Sequence, residues 1–186
     1  MRRLSVFNQV SLDGFFCDAH GDMSWAHKSD PEWNAWVGEN AGGGGALMFG
    51  RVTYEMMAAY WPTAAARRND PVVAERMSAM EKIVFSRSLR RPVWENTRVV
   101  EGEAARVVRG LKAEKGPDLV ILGSGSLVAA LTDAGLIDAY TIVVNPLVLG
   151  GGRTMFDGVR RRADLTLKKT RTFENGNVAL WLEAKR

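Results

Sequence analysis

The chain has one cysteine, Cys17, and two histidines, His20 and His27, in 186 residues. A single thiol can close no internal disulfide, so Cys17 fits a reducing compartment and reads as a bystander. Two histidines with no ligand spacing around them give no metal pattern, and neither stands near a nucleophile-elbow sequence. Metal and acyl-transfer chemistry are therefore set aside. Long apolar runs are also missing. The opening segment MRRLSVFNQVSLDG is interrupted at Asn8 and Gln9, too early for a secretory core, and no later stretch reaches membrane-spanning length. A soluble, cytoplasmic protein is expected. The run Gly42 to Gly45 continues into Ala46-Leu47-Met48 and not into Gly-Lys-Ser/Thr, so it reads as linker and not as a Walker loop.

Formal charge is +4 and the pI about 9.5, compatible with nucleic acid, an acidic metabolite or an ordinary basic surface. The densest basic runs, Arg90-Arg91 and Arg160-Arg161-Arg162, are short and lack interleaved aromatics for base stacking, which disfavours nucleic acid. Hydrophobic content of 46% over this length supports one buried core and one domain. No internal repeat or low-complexity boundary divides it.

What is present is an alternation of strand and helix signals. Leu4 to Phe16 reads as a first strand, and Asp30-Pro31 opens a helix through Trp33, Trp36 and Val37. Strands are predicted at Ala46–Phe49, Lys82–Phe85, Thr97–Val100 and Asp118–Leu122. The spacing predicts helices over Val52–Tyr60, Pro71–Met80, Glu103–Lys115 and Ser126–Ala134. Such alternation implies a mostly parallel sheet covered on both faces. Ala139 to Val148 is a long β-rich run, and Glu174-Asn175-Gly176 between Leu165–Thr172 and Asn177–Glu183 signals a closing antiparallel hairpin.

Three of these strands stop at small-residue or arginine turns: Gly50-Arg51-Val52-Thr53, Ser86-Arg87-Ser88 and Gly123-Ser124-Gly125-Ser126. Turns of this kind at helix starts present amides, hydroxyls and guanidinium groups to an anion, which points to a polyanionic nucleotide. Taken alone, the first is equally a tight turn with a surface arginine. The third has only two glycines of the GxGxxG fingerprint, because Val128 takes the third position, so a standard Rossmann fold is not implied. Arg51 and Arg87 with nearby hydroxyls would suit a ribose 2′-phosphate, hence NADPH over NADH.

Read together, SLDGFF at Ser11 to Phe16, GRVTYE at Gly50 to Glu55, FSRS at Phe85 to Ser88, GSGSL at Gly123 to Leu127, AGLID at Ala134 to Asp138 and NPLVLGGGRTMF at Asn145 to Phe156 resemble one family in its motif order. This is the dihydrofolate reductase-like fold, in the branch related to the riboflavin-biosynthesis reductase (RibD C-terminal) domain. The resemblance covers nearly the whole chain. It implies NADPH binding by Gly50, Arg51, Thr53, Ser86, Arg87, Gly123, Ser124, Gly125 and Ser126, and a homodimer. Two positions depart from the riboflavin-pathway pattern: Leu122 stands where that branch places glutamate, and Trp61 where it places aspartate before a proline.

The candidate acids are Asp13, which the resemblance brings close to the nicotinamide, and Glu32 on the first helix. Asp13 is equally an ordinary turn residue, and Glu32 reads first as a solvated helix-start residue. Trp25, Trp33, Trp36, Tyr60 and Trp61 could wall a pocket for a planar substrate or could be core. The resulting expectation is an NADPH-dependent reductase of a small conjugated heterocycle or imine, pterin- or pyrimidine-like. The alternative is a nucleotide-binding or regulatory dimer without turnover.

Overall fold

The computed structural model describes residues 1–27, 30–41 and 44–185. Gly42 and Gly43, half of the glycine run read as linker, lie outside the described residues. In chain order the first half comprises β1 (Leu4–Ser11), β2 (Phe15–Cys17), α1 (Pro31–Ala41), β3 (Ala46–Gly50), α2 (Arg51–Tyr60), α3 (Ala64–Asn69), α4 (Pro71–Ala79) and β4 (Lys82–Phe85). Then come β5 (Thr97–Val100), α5 (Ala104–Ala113), β6 (Leu119–Leu122), α6 (Gly125–Asp133), β7 (Ala139–Asn145), β8 (Arg153–Thr154), β9 (Leu165–Thr172) and β10 (Val178–Ala184).

One sheet of eight strands runs in the order β5-β4-β3-β6-β1-β7-β10-β9. The first six of these are mutually parallel, and β10 reverses against both β7 and β9, as the sequence pattern implied. The sheet is covered on both faces, which explains why its strands read as unbroken apolar runs. On β3, Ala46 and Met48 enter the core with Val6, Ile121, Val128 and Leu131, while Leu47 and Phe49 pack oppositely with Tyr54, Val73 and Trp94. A third cluster joins Trp33 and Trp36 of α1 to Val143, Phe173 and Ala179. Asp30 caps α1 by accepting from the amides of Glu32 and Trp33 at 2.8 and 3.1 Å.

The expected first strand, Leu4 to Phe16, is divided. After Ser11 the chain turns through Gly14 at φ 88°, the Phe15 amide donates to Ser11 Oγ, and β2 pairs with β8 in a separate ribbon. Alternation of apolar residues continues through the turn, so periodicity alone could not mark the break. Among the described residues no helix is long and apolar enough to cross a membrane.

The edge of the sheet at which the parallel strands begin is held by buried cations. Lys112 pairs with Asp138, whose carboxylate also accepts from the Leu4 amide at 2.8 Å. Lys82 is fully buried, donates to the carbonyls of Ser78 and Glu95 at 2.6 and 3.0 Å, and lies over the Trp94 ring at 4.5 Å. Desolvation lowers its pKa from 10.5 to about 8, opposed by the Glu95 charge. Its folded pKa is thus below its unfolded one, so the charged lysine costs stability below about pH 8 and that cost disappears as pH rises toward 10.5. Urea unfolding of the wild type and Lys82→Met across this window should show the variant's relative stability falling by up to about 1.4 kcal/mol per pH unit. A pH-independent difference would assign the Lys82 proton to both states equally.

Candidate functional site

The carboxyl ends of the parallel strands do not finish level. β1 pairs with β6 only as far as Phe7 opposite Leu122, then continues with β7 alone to Ser11 opposite Asn145. β3 leaves β6 after Met48 opposite Ile121 and follows β4 to Gly50 opposite Phe85. A crevice therefore opens between β1 and β3 above the end of β6, the kind of strand-order break where α/β sheets bind ligands.

Its floor is the turn into α6. Gly123 and Ser124 are both left-handed, at φ 60° and 59°. A Cβ on Gly123 would lie 3.1 Å from Thr53 Cγ2, and one on Gly125 would lie 2.8 Å from Phe16 Cε1 and 3.1 Å from the Thr154 oxygen. Ser124 Oγ accepts from the Gly50 amide at 2.7 Å, which ties the turn after β6 to the turn after β3. Gly50, Thr53, Gly123, Ser124 and Gly125 are thus in one place.

Beside them is a pocket of about 320 Å³ whose lining includes Gly50, Arg51, Ser86, Arg87 and Ser126. The structure therefore brings together all nine positions named for the nucleotide. α2 begins at Arg51 and α6 at Gly125, so two sets of unpaired helix-start amides face the same region. Arg51 is paired with Glu55 at 2.7 Å on an exposed surface, where such pairs are worth little. Ser86 Oγ accepts from the amides of Ser88 and Leu89, which fixes the turn that carries Arg87.

Glu101 and Gly102 also line this pocket, and the sequence reading passed over them. The signal was available: β5 ends at Val100 as the others do, and Gly102 has φ 116°. Glu101 is 3.8 Å from Arg90. The other basic run, Arg160 to Arg162, is anchored by carboxylates: Asp133 accepts from the amides of Arg160 and Arg161, and Asp164 pairs with Arg162.

The two candidate acids lie elsewhere. The Asp13 carboxylate accepts from the amides of Leu149 and Gly150 at 3.1 and 2.7 Å, clasping the loop after β1 to the loop after β7. A hydrogen bond from Ser11, reinforced by those amides, lowers its pKa. Near neutral pH Asp13 is an ionised acceptor and has no proton to give. Glu32 is exposed on α1 and pairs with Arg171 at 2.8 Å. Neither lines the pocket.

The five aromatic candidates separate as well. Trp33 and Trp36 are buried against Phe173, while Tyr60 and Trp61 form an edge-to-face pair at the end of α2. The Trp25 indole donates to the Asp22 carbonyl at 3.3 Å.

The sequence profile of the RibD C-terminal domain matches residues 2–179. The chain belongs to the RibD C-terminal domain family. A relative of the chain is YyaP, an uncharacterized Bacillus subtilis protein, 26% identical over 179 residues that cover 96% of this chain and 93% of YyaP. A Shewanella sp. PV-4 protein with a provisional riboflavin-biosynthesis designation is similar in structure, with a TM-score of 0.76 at 21% identity and full coverage of both chains. Dihydrofolate reductase from Enterococcus faecalis, solved with NADP(H), has a TM-score of 0.65 at 16% identity, covering 99% of this chain and 97% of that one. The fold is therefore dihydrofolate reductase-like.

Within this RibD C-terminal fold, Leu122 and Trp61 both serve packing. Leu122 joins the cluster around Phe49 and Trp94, and the Trp61 indole lies 3.1 Å from Met57 Sδ. Gly152, at φ 146°, closes the β2–β8 ribbon over the Gly125 turn, and a Cβ there would lie 2.1 Å from the Cys17 oxygen. Gly152→Ala should force the ribbon apart and cost about 1–3 kcal/mol in urea unfolding. Unchanged stability would show that the ribbon yields freely.

Proposed function

We propose that this chain is an NADPH-dependent reductase of a small conjugated heterocycle or imine, pterin- or pyrimidine-like. The observation that supports it most is the meeting of three strand-end turns and two arginines around one crevice. The residues fit the cofactor: Gly123 and Gly125 lack the Cβ atoms that would crowd the floor, Gly50 leaves the start of α2 bare, and α2 and α6 aim helix-start amides at a pyrophosphate. Thr53, Ser124 and Ser126 add hydroxyls, Ser86 holds the Arg87 turn, and Arg51 with Arg87 receives the ribose 2′-phosphate. NADPH, when bound there, supplies hydride to the substrate.

The protein's own part is to bind, orient and exclude water. With Asp13 committed to two backbone amides and Glu32 to Arg171, the proton that completes reduction comes from solvent. That both candidate acids are so engaged also supports the second reading, a nucleotide-binding dimer without turnover. NADPH oxidation across a panel of pterins and pyrimidines separates the two. The proposed homodimer draws support from β9, an outer strand with Leu167 exposed, and light scattering on the purified chain tests it.

Arg51→Ala and Arg87→Ala should each weaken NADPH by roughly tenfold to a hundredfold, since a charge-assisted hydrogen bond contributes about 1.5–3 kcal/mol. NADH affinity should barely change. Equal losses for both cofactors in calorimetric titration would move the arginines from the 2′-phosphate to the pyrophosphate, and no binding of either would overturn the reductase reading.

A further inference from the structure

Side chains alternate across a strand, so Phe7, Gln9 and Ser11 of β1 share one face. Phe7 meets Trp36 of α1 with ring centroids 5.9 Å apart, which places Gln9 on the α1 side of the sheet. On β7, Val143 belongs to the same aromatic cluster and Asn145 lies two residues nearer the crevice edge. On the reversed β10, Ala179 is in that cluster, and Asn177 is two residues nearer the same edge. Ser11 pairs with Asn145, and one step beyond Val178 opposite Val144 puts Asn177 opposite Asn145. The apolar layer therefore ends in a row of neutral polar groups at the ligand edge.

That row is unfavourable for the protein alone. Asn145 and Asn177 are fully buried, yet Asn145 Oδ1 and both polar atoms of the Asn177 amide have no partner among the described residues. Buried amides left unpaired by protein groups cost stability unless a water or a ligand completes them, and these stand where the crevice opens.

The polarity of the row is fixed by one backbone oxygen. Asn145 Nδ2 lies 3.4 Å from the Val10 carbonyl, which can only accept, and 3.2 Å from Gln9 Oε1. The atom of Asn145 that faces Val10 must be nitrogen, its second N–H needs an acceptor on Gln9, and Gln9 therefore turns Oε1 toward Asn145. Gln9 Nε2 is left over, half-buried and without a partner among the described residues, on the stretch of β1 that β6 has already left. A donor of fixed direction thus stands at the crevice.

We propose that Gln9 is the specificity-determining contact for an exocyclic oxygen of the substrate heterocycle, and that Asn145 is its positioning residue. The proposal rests on reading the crevice as a reductase site. Gln9 selects rings that carry a carbonyl over rings that carry an amino group at the same place, because two donors facing each other leave both unpaired. Asn145 acts through Gln9: without it the Gln9 amide can rotate and offer either end.

The test uses the full-length protein and two matched probes, 6-aminouracil and 2,4,6-triaminopyrimidine, titrated with and without saturating NADPH. The wild type should bind the oxo ring about tenfold more tightly than the all-amino ring. Gln9→Glu, which presents a carboxylate, should reverse that order. Asn145→Leu should bring the two affinities to within about threefold while leaving thermal stability equal or higher, since it removes an unpaired buried acceptor. NADPH titration of each variant reports whether its fold and cofactor cradle persist, and Gln9→Glu carries the test alone if Asn145→Leu does not fold. A wild type without preference, or a preference untouched by Gln9→Glu, overturns the proposal. Failure of the wild type to bind NADPH would instead overturn the reductase reading itself.

Discussion

β6 ends where Gly123 and Ser124 both turn left-handed, and the crevice at this edge of the sheet depends on that early exit. Had β6 continued, it would have filled the space between β1 and β3 and closed the sheet. Instead the backbone folds back into α6, and the Ser124 hydroxyl crosses to hold the Gly50 amide. A left-handed conformation at a residue other than glycine costs free energy, and at Ser124 it is held by the Gly50 amide on its hydroxyl and the Leu127 and Val128 amides on its carbonyl. The crevice is therefore the product of a local conformation that the rest of the fold enforces.

The two edges of the sheet divide the protein's electrostatics. At one, two buried lysines are engaged: Lys112 with Asp138 and the Leu136 carbonyl, Lys82 with two carbonyls and a tryptophan face. These groups lock strand starts and linking loops together and leave nothing to offer a ligand. At the other, the arginines are exposed, held lightly by Glu55 or not at all among the described ion pairs, and the buried groups are neutral amides. On the proposed reading an anionic ligand would meet exposed positive charge, and an uncharged ring would meet a Gln9 amide whose direction Asn145 sets.

Much of this was legible in the sequence because a strand buried on both faces reads as a short apolar run, and the residue that stops it is conspicuous. The strands expected at Ala46–Phe49, Lys82–Phe85 and Asp118–Leu122 were found for that reason, as Ala46–Gly50, Lys82–Phe85 and Leu119–Leu122, together with the turns that follow them. The division of the first strand was hidden because Phe15 and Phe16 continue the alternation after Gly14. α3 and β8 were missed, the first being a six-residue helix of alanines and arginines and the second a two-residue strand defined by its partner. Ala139 to Val148 was read three residues too long: Pro146 has no amide to continue the ladder. The row of Gln9, Asn145 and Asn177 could not be seen at all, since it exists only through the register of three strands far apart in the chain. Asp13 and Glu32 could be named as acids from sequence, but the amides and arginine that occupy them come from loops and strands near the other end of the chain.

The position of β1 has a consequence for how the chain comes to be folded. It precedes both of its partners in the chain and is one of the two middle strands of the finished sheet, with Leu4 beside Leu119 and Ser5 beside Ala139. Until those segments leave the ribosome, β1 is a strand with two bare edges and nowhere to pair. Its interruption by Asn8 and Gln9 lowers the apolar character of that waiting strand and so restrains its self-association while the chain is incomplete.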